Sequence, residues 1–205
     1  MEISSSPHNV RFDTVVGDLP DLPSKIHFLK QVHGATAVMA PFLPGTEGDA
    51  VITQTPGVIC AVKTADCLPI LVSNHRGTEV AAIHAGWKGL AAGVIEATFA
   101  KMSSPGSECL AWIGPAICHN HFEVGAEVRE AFVSKNQAWD IAFHSGALQK
   151  FQGNLPLIAE MILKDLGVVV QHSGLCTYED RSFPSYRRDN GTLMRMVSLC
   201  YIINT

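Results

Sequence analysis

The segment Val80–Ala100, with the sequence VAAIHAGWKGLAAGVIEATFA, constrains the fold more than any other part of the chain. An apolar run ends at His84, and Gly86 and Gly89 flank a Trp-Lys pair before a helix of small residues begins. This pattern predicts a buried strand that passes directly into a helix. It also predicts that His84 lies at the edge of a sheet, with little side-chain bulk around it.

The rest of the chain predicts one domain over residues 1–205, of mixed α/β (α+β) class. Amphipathic runs at EVGAEVREAFVSK and NLPLIAEMILKDLG predict helices, and a further helix is expected from Trp87 to about Met102. Residues 1–24 are polar and proline-containing, and we expect them to be loosely ordered. Strands are predicted at KIHFLKQVHG, ATAVMA, DAVIT, GVICAVKT, LPILVSN, TEVAAIHAG, CLAWIGPAI, VVVQHSG and LMRMVSLCYII, the fifth and sixth forming a hairpin through HRG.

Composition excludes several classes of function. The 205 residues are 47% hydrophobic, which suits one sizeable core, and the net charge of -4 argues against a nucleic-acid-binding surface. No apolar run reaches the 18 residues of a membrane-spanning helix. The sequence MEISSSPHNV does not resemble a secretory signal, and the six cysteines form no C-x-x-C pair, so we expect a cytoplasmic protein.

Three candidate metal ligands lie at predicted ends of apolar strands. They are His33 in KQVHGA, Cys67 in TADCLPI and His84 in IHAGWKG, and strand ends at one edge of a sheet converge in space. Two imidazoles and a thiolate suit zinc and leave a fourth position for water, which zinc activates as a nucleophile. The same set can hold copper. Without a metal, Cys67 could act as a nucleophile paired with His84.

At these residues the chain resembles the YfiH family, whose members are named multicopper polyphenol oxidoreductase, laccase domain protein and purine nucleoside phosphorylase. The resemblance covers about Lys30 to Ile203. One departure lies in RRDNGTLMRM, which keeps Thr192 and Arg195 but carries one extra residue. Seven motifs occur in the family's order: QVHG (31–34), GDAVIT (48–53), TADCLPIL (64–71), IHAGWKGL (83–90), WIGPAI (112–117), FEVGAEV (122–128) and SYRRD (185–189).

The resemblance implies a fold and an activity. The fold is one of mixed sheets packed as a sandwich and flanked by helices, similar to a bacterial toxin of the CNF type that acts as a Cys-His deamidase. His33, Cys67 and His84 are implied as zinc ligands and as the catalytic centre. The implied reactions are phosphorolysis of adenosine, inosine, guanosine and methylthioadenosine, together with deamination of adenosine.

Six further residues are implied at the substrate. Arg187, Arg188 and Lys88 are the candidates for binding phosphate, because guanidinium groups match phosphate oxygens. Asp66 could assist proton transfer, although its place beside Cys67 on an extended chain points it to the other face. Trp87 could stack on the purine base or cover the sheet. Gln31 completes the predicted set.

Other functions stay open at this point. Members of the family in bacteria are also implied as hydrolases that edit peptidoglycan precursors, and the same site could do this. A copper-dependent, laccase-like polyphenol oxidase is disfavoured, because HNH at residues 119–121 is the one H-x-H pair in the sequence. A metal-binding protein without turnover is a further alternative. The expected partners are a purine nucleoside and phosphate, without nucleic acid or membrane, in a monomer or a homodimer.

Overall fold

The computed structural model describes residues 7–18, 22, 24, 26 and 28–204. Short strands dominate the described chain, and α-helices are few and lie between them. The elements are β1 (Val10–Val16), β2 (Ala37–Met39), β3 (Ala50–Thr53), β4 (Cys60–Thr64), β5 (Leu68–Asn74), β6 (Val80–Ala85), α1 (Trp87–Ala92), α2 (Val94–Lys101), β7 (Cys109–Ile113), β8 (Glu123–Val124), α3 (Ala126–Val133), β9 (Phe143–Ser145), β10 (Phe151–Gly153), α4 (Leu155–Asp165), β11 (Val169–His172) and β12 (Met196–Ile202).

A six-stranded mixed sheet forms the centre, with strand order β11-β7-β5-β6-β3-β2. Its outer pairs, β11 with β7 and β2 with β3, are parallel, and the inner pairs are antiparallel. β5 and β6 form the predicted hairpin, in which Leu68 pairs with Ala85. Every residue of these two strands is buried, as expected for a sheet covered on both faces.

One face of this sheet packs against a second, three-stranded sheet of order β1-β12-β4. The two sheets share a core to which β1 contributes Phe12, β4 contributes Val62, and the central sheet contributes Leu71 and Trp112. A third small sheet, β8-β10-β9, lies beside the helices.

The other face of the central sheet packs against the helices. Ile70 and Ile83 from the sheet share one core with Ile95 of α2 and Ile158 of α4. The predicted fold class, mixed sheets packed as a sandwich with flanking helices, is therefore confirmed. No helix in the described part of the chain has both the length and the apolar character needed to cross a bilayer.

Three local predictions are wrong. Val10–Val16, within the segment expected to be loosely ordered, pair along their whole length with β12; residues 1–6, 19–21 and 23 lie outside the described part. The predicted helix after Trp87 divides at Gly93, whose φ of 93° ends α1 and begins α2. The predicted strand KIHFLKQVHG is a loop with one isolated bridge at Lys30; its residues 25 and 27 lie outside the described part.

Candidate metal centre and active site

His33, Cys67 and His84 meet at one edge of the central sheet, and we call them the primary triad. Their ligating atoms lie within 4.8 Å of one another. The pairing of Leu68 with Ala85 brings the start of β5 to the end of β6, so Cys67 and His84 become neighbours. The expected convergence at one edge is present, although Cys67 precedes its strand and His33 comes from a loop.

A buried carboxylate that we did not single out in the sequence, Asp49, holds both histidines. The Nδ1–H of His84 donates to Asp49 Oδ1 at 2.8 Å. The same carboxylate accepts from the backbone N–H of His33 at 2.9 Å and of Gly34 at 2.7 Å. His33 has a φ of 59°, a backbone conformation that costs energy outside glycine. Asp49 offsets this strain by fixing the loop on both sides of His33.

The two glycines of the opening motif keep the triad uncrowded. A Cβ atom at Gly86 would lie 3.0 Å from Cys67 Sγ and 3.0 Å from His33 Cδ2. A Cβ atom at Gly89 would lie 2.7 Å from the carbonyl oxygen of Gly34. Any larger residue would therefore displace the triad or its supporting loop.

The triad shifts the pKa values of its own members. Burial raises the pKa of the Cys67 thiol, but hydrogen bonds and positive charge from His33 and His84 outweigh burial and lower it to about 7. Burial lowers the pKa of His84, whereas Asp49 and Cys67 raise it further, to about 9. The site therefore favours a thiolate at neutral pH, which is the form that binds metals and attacks electrophiles.

The donor set fits a metal ion. Because the Nδ1–H of His84 is held by Asp49, its Nε2 is the nitrogen left to coordinate, in the carboxylate–histidine arrangement common at zinc sites. His33 Nε2 lies 4.0 Å from Cys67 Sγ, so both atoms face the same point. Two imidazoles and one thiolate are ligands of zinc in three-ligand catalytic sites.

The primary triad opens into a cavity of about 690 Å³. Four cationic side chains are among its described lining residues: Lys63, Lys88, Arg187 and Arg195. Among those same described residues Asp66 is the one carboxylate. The cavity therefore presents a positive potential beside the triad, which favours an anionic ligand.

Of the two predicted phosphate-binding arginines, only Arg187 lines the cavity. Its Nη1 donates to the carbonyls of His121 and Glu123, and its guanidinium lies 5.5 Å from the ring centre of Phe122. The structure does not bring Arg188, also predicted to bind phosphate, to this cavity, because its guanidinium donates within the polar loop. The partners of the Arg188 guanidinium are the carbonyls of Thr177, Tyr178, Asp180 and Phe183 and the carboxylate of Asp189.

Asp66 and Gln31 line the cavity but act mainly as supports. The carboxylate of Asp66 accepts from Thr177 Oγ1 at 2.7 Å and from the backbone N–H of Arg187 at 2.7 Å. The carboxamide of Gln31 bonds both backbone groups of Lys63, at 2.8 and 2.9 Å. Asp66 thus positions the Arg187 loop, and Gln31 ties the His33 loop to β4.

Trp87 and Lys88, for which substrate or phosphate binding stays a prediction, also line the cavity, and Phe122 and Tyr186 add two further aromatic surfaces. Sequence reasoning missed Asp49, Lys63, Phe122 and Tyr186 as site residues and noted Arg195 without assigning it a role. Asp49 had a signal in the motif GDAVIT, where a charged residue directly precedes the apolar run at residues 50–52. Lys63 had none, because it occupies an ordinary exposed position of β4.

The chain is similar to known proteins over most of its length. The family model described as "Multi-copper polyphenol oxidoreductase laccase" matches residues 12–203. The chain is 44% identical to "Purine nucleoside phosphorylase YfiH" of Escherichia coli (strain K12) over 187 residues, which are 89% of this chain and 76% of that protein. It is 45% identical to "Purine nucleoside phosphorylase PA4543" of Pseudomonas aeruginosa over 178 residues, 85% of this chain and 73% of that protein.

Solved structures share the fold. Protein NMB0706 of Neisseria meningitidis superimposes with a TM-score of 0.83 at 42% identity, covering 86% of this chain and 74% of that one. A YfiH protein of Bacillus licheniformis superimposes with a TM-score of 0.81 at 26% identity, covering 86% and 73%. Architecture and sequence therefore point to the same group of proteins.

Proposed function

Since the chain belongs to the YfiH family, the multi-copper polyphenol oxidoreductase laccase family by its model's description, we propose that it is a zinc-dependent purine nucleoside phosphorylase. We include deamination of adenosine to inosine as a second reaction of the same site. The relatives named purine nucleoside phosphorylase support an enzyme that acts on a small molecule.

The observation that carries the proposal is the cationic cavity that adjoins the primary triad. Arg187, Lys88 and Arg195 offer guanidinium and ammonium donors for an anion, and phosphate is the anionic co-substrate of phosphorolysis. Trp87 and Tyr186 offer aromatic faces for a purine. A cavity of about 690 Å³ lies within the usual range for sites that hold a ligand of this size.

In phosphorolysis a phosphate oxygen forms a bond to C1′ of the ribose while the bond from C1′ to the purine nitrogen breaks. The base leaves with that electron pair and takes up a proton. Arg187 and its cationic neighbours bind the phosphate and hold it beside the sugar, which lowers the entropic cost of the attack. Positive charge in the cavity also favours the ionised phosphate.

In deamination the oxygen of a water molecule forms a bond to C6 of adenosine, and the C6 amino group leaves as ammonia. His33, Cys67 and His84 would hold the zinc ion, with Asp49 orienting His84. Zinc bound there would supply a Lewis acid and lower the pKa of the attacking water. Asp49 and the narrow turn at Gly86 keep the triad in position for this role.

The test is product analysis of the purified, zinc-analysed protein with adenosine, in the presence and absence of phosphate. Adenine and ribose 1-phosphate are expected only when phosphate is present, and inosine is expected in both cases. Cys67→Ala should abolish both products, whereas His75→Ala, at an exposed position beyond the opposite end of β5, should leave them unchanged. Zinc-loaded protein that forms neither product would overturn the proposal.

One observation favours a second candidate, a thiol hydrolase acting on a cell-wall precursor amide. Asp49, His84 and Cys67 are arranged as an acid, a base and a nucleophile, and the pKa of Cys67 is lowered to about 7. In that case Cys67 Sγ forms a bond to the amide carbonyl carbon, the C–N bond breaks, and the amine leaves with a proton from His84. A water molecule then hydrolyses the thioester, which releases the carboxylic acid and regenerates Cys67. Chelation separates the candidates, because it should stop the zinc enzyme and activate the thiol hydrolase.

We also propose a cytoplasmic location. All six cysteines, each in the described part of the chain, are free thiols. Free thiols persist in reducing compartments. Fractionation with antibodies against the native protein would test this, and recovery outside the cytoplasmic fraction would contradict it.

A further inference from the structure

Cys118, Cys176 and Glu179 form a second group of ligating atoms, which we call the loop cluster. Cys118 immediately precedes a 3-10 helix at His119–His121, and the other two residues lie in the loop after β11. A parallel bridge between Ala116 and Cys176 joins the two loops. The three ligating atoms lie within 4.8 Å of one another, so sequence positions nearly sixty residues apart meet at one point.

The spacing within the loop cluster suits zinc. Cys118 Sγ lies 3.6 Å from Glu179 Oε1. In a tetrahedral site with Zn–S of about 2.3 Å and Zn–O of about 2.1 Å, the two ligand atoms lie about 3.6 Å apart. The backbone N–H of Cys118 donates to Cys176 Sγ at 3.2 Å, a contact that positions this sulfur between the two loops.

We propose that Cys118, Cys176 and Glu179 bind a second zinc ion, separate from the primary triad. Two thiolates select a soft or borderline cation such as zinc over magnesium or calcium. Cys176 is buried whereas Glu179 is exposed. An ion therefore reaches the cluster from solvent on the side of Glu179 and is bound on its inner side by the sulfur of Cys176.

His121 supports this assignment as a positioning residue. Its Nε2–H donates to Glu179 Oε1 at 3.0 Å, and its ring stacks on Tyr178 at 4.2 Å between centroids. This contact orients the carboxylate towards the two sulfurs. A disulfide between Cys118 and Cys176 would use the same sulfurs, but it would need neither Glu179 nor His121.

The second zinc ion joins two loops that shape the large cavity. Arg187 donates to the carbonyls of His121 and Glu123, which belong to the segment that Cys118 begins. Thr177, directly after Cys176, donates to Asp66. Binding at the loop cluster therefore fixes the segment that supports Arg187, and this role is structural rather than catalytic.

The test is a metal titration of the reduced, metal-depleted full chain with Zn²⁺, and with Co²⁺ as a spectroscopic probe of thiolate ligation. We expect two equivalents in the native sequence. Cys67→Ser should leave one equivalent with strong thiolate-to-cobalt absorption from two sulfurs, and Cys118→Ser should leave one with the weaker absorption of a single sulfur. These readouts do not depend on any turnover, so they stand apart from the proposed enzymatic function.

Conservative variants guard against misfolding. Glu179→Gln and His121→Ala, both at accessible positions, should weaken binding of the second equivalent about 10- to 100-fold. The matched controls are Glu108→Gln and His75→Ala, at exposed positions outside both clusters, and these should change nothing. A Cys67→Ser protein that binds no metal when reduced, or a Cys118–Cys176 disulfide without metal binding after reduction, would overturn the proposal.

Discussion

The primary triad opens into a cavity of about 690 Å³, whereas Cys118 of the loop cluster lines one of about 190 Å³. Both groups contain a cysteine and both can hold a borderline cation. The triad combines one thiolate with two imidazoles and faces four cationic side chains among the described lining residues. The loop cluster combines two thiols with a carboxylate.

This difference shows that similar metal ligands can serve catalysis or structural support, depending on the residues around them. A three-ligand site with space beside it leaves a coordination position for substrate or water. A site with two thiolates and a carboxylate, set between loops, neutralises the ion more fully and holds the chain together. The comparison can be tested at each group in turn.

Substitutions in the two clusters should differ most in their effect on turnover. Cys67→Ser removes a ligand from the site that would hold the Lewis acid, an effect of several kcal/mol, so activity should fall about a thousandfold. Cys118→Ser acts only through the Arg187 loop and should cost about tenfold, mainly in the KM for phosphate. Steady-state assays with adenosine and phosphate measure both changes.

The control for this pair is Cys109→Ala, at a buried position of β7 outside both clusters. Its activity should match that of the unaltered protein. Equal losses of activity in Cys67→Ser and Cys118→Ser would mean that the two clusters contribute to turnover in the same way.

Thiol reactivity of the metal-free protein should show the next largest contrast. The pKa of Cys67 is lowered to about 7, because the two histidines outweigh burial, whereas burial and negative neighbours raise the pKa of Cys118 to about 12. Thiolates are the reactive form, so at pH 7 iodoacetamide should modify Cys67 roughly several hundredfold faster, after allowing for the weaker nucleophilicity of an acidic thiol.

The pH dependence has a definite sign at each cysteine. Because the pKa of Cys67 is about 7, its labelling rate should rise towards pH 7 and level off above it. The rate at Cys118 should keep rising throughout the neutral and mildly alkaline range. Peptide mass spectrometry after timed labelling reads both, and comparable rates at pH 7 would contradict the described electrostatics.

Sequence reasoning reached the triad and the central hairpin because both depend on local signals. His33, Cys67 and His84 lie in compact motifs, and the apolar runs of β5 and β6 are separated by a short turn. Strand β1, with the sequence VRFDTVV, was missed because it lies within a polar, proline-containing stretch and its partner β12 is 180 or more residues away.

The support of the site was harder to predict. Asp49 acts through a buried contact to His84, 35 residues away, and only the packed sheet brings them together. Arg187 and Arg188 are adjacent in sequence and chemically identical, yet one lines the cavity and the other binds its own loop. No sequence pattern separates two neighbouring arginines whose roles depend on the path of the loop.

Replacing the buried carboxylate tests how far the triad depends on its support. Asp49→Asn keeps the volume but removes the charge that orients His84, so zinc affinity and turnover should fall about 10- to 100-fold. Zinc competition with a chelator and assays at saturating zinc measure the two effects. Unchanged affinity would show that the histidines hold their positions without Asp49.

Glu79→Gln is the matched control, because Glu79 is also a buried carboxylate that accepts backbone N–H groups, from Ser103 and Ser104. Burial raises the pKa of Glu79, but those bonds and Gln54 lower it below its usual range. The ionised form therefore stabilises the fold above the unfolded-state pKa, and this is lost as pH falls through the folded-state pKa. Glu79→Gln should cost about 1–3 kcal/mol in free energy of unfolding and leave turnover intact.

The smallest effect that still distinguishes the two regions comes from Arg187→Lys. Lysine keeps the positive charge but loses the planar fork that bridges the cavity and the carbonyls of His121 and Glu123. Loss of one charge-assisted hydrogen bond to phosphate corresponds to about a tenfold rise in the KM for phosphate, with little change in kcat. Binding of both zinc equivalents should be unchanged, since Arg187 donates to loop carbonyls and to no ligand of either cluster. A fall in kcat without a change in KM would instead mean that Arg187 acts on the reacting bond, and the cationic cavity would then belong to the chemistry of the triad rather than to phosphate capture.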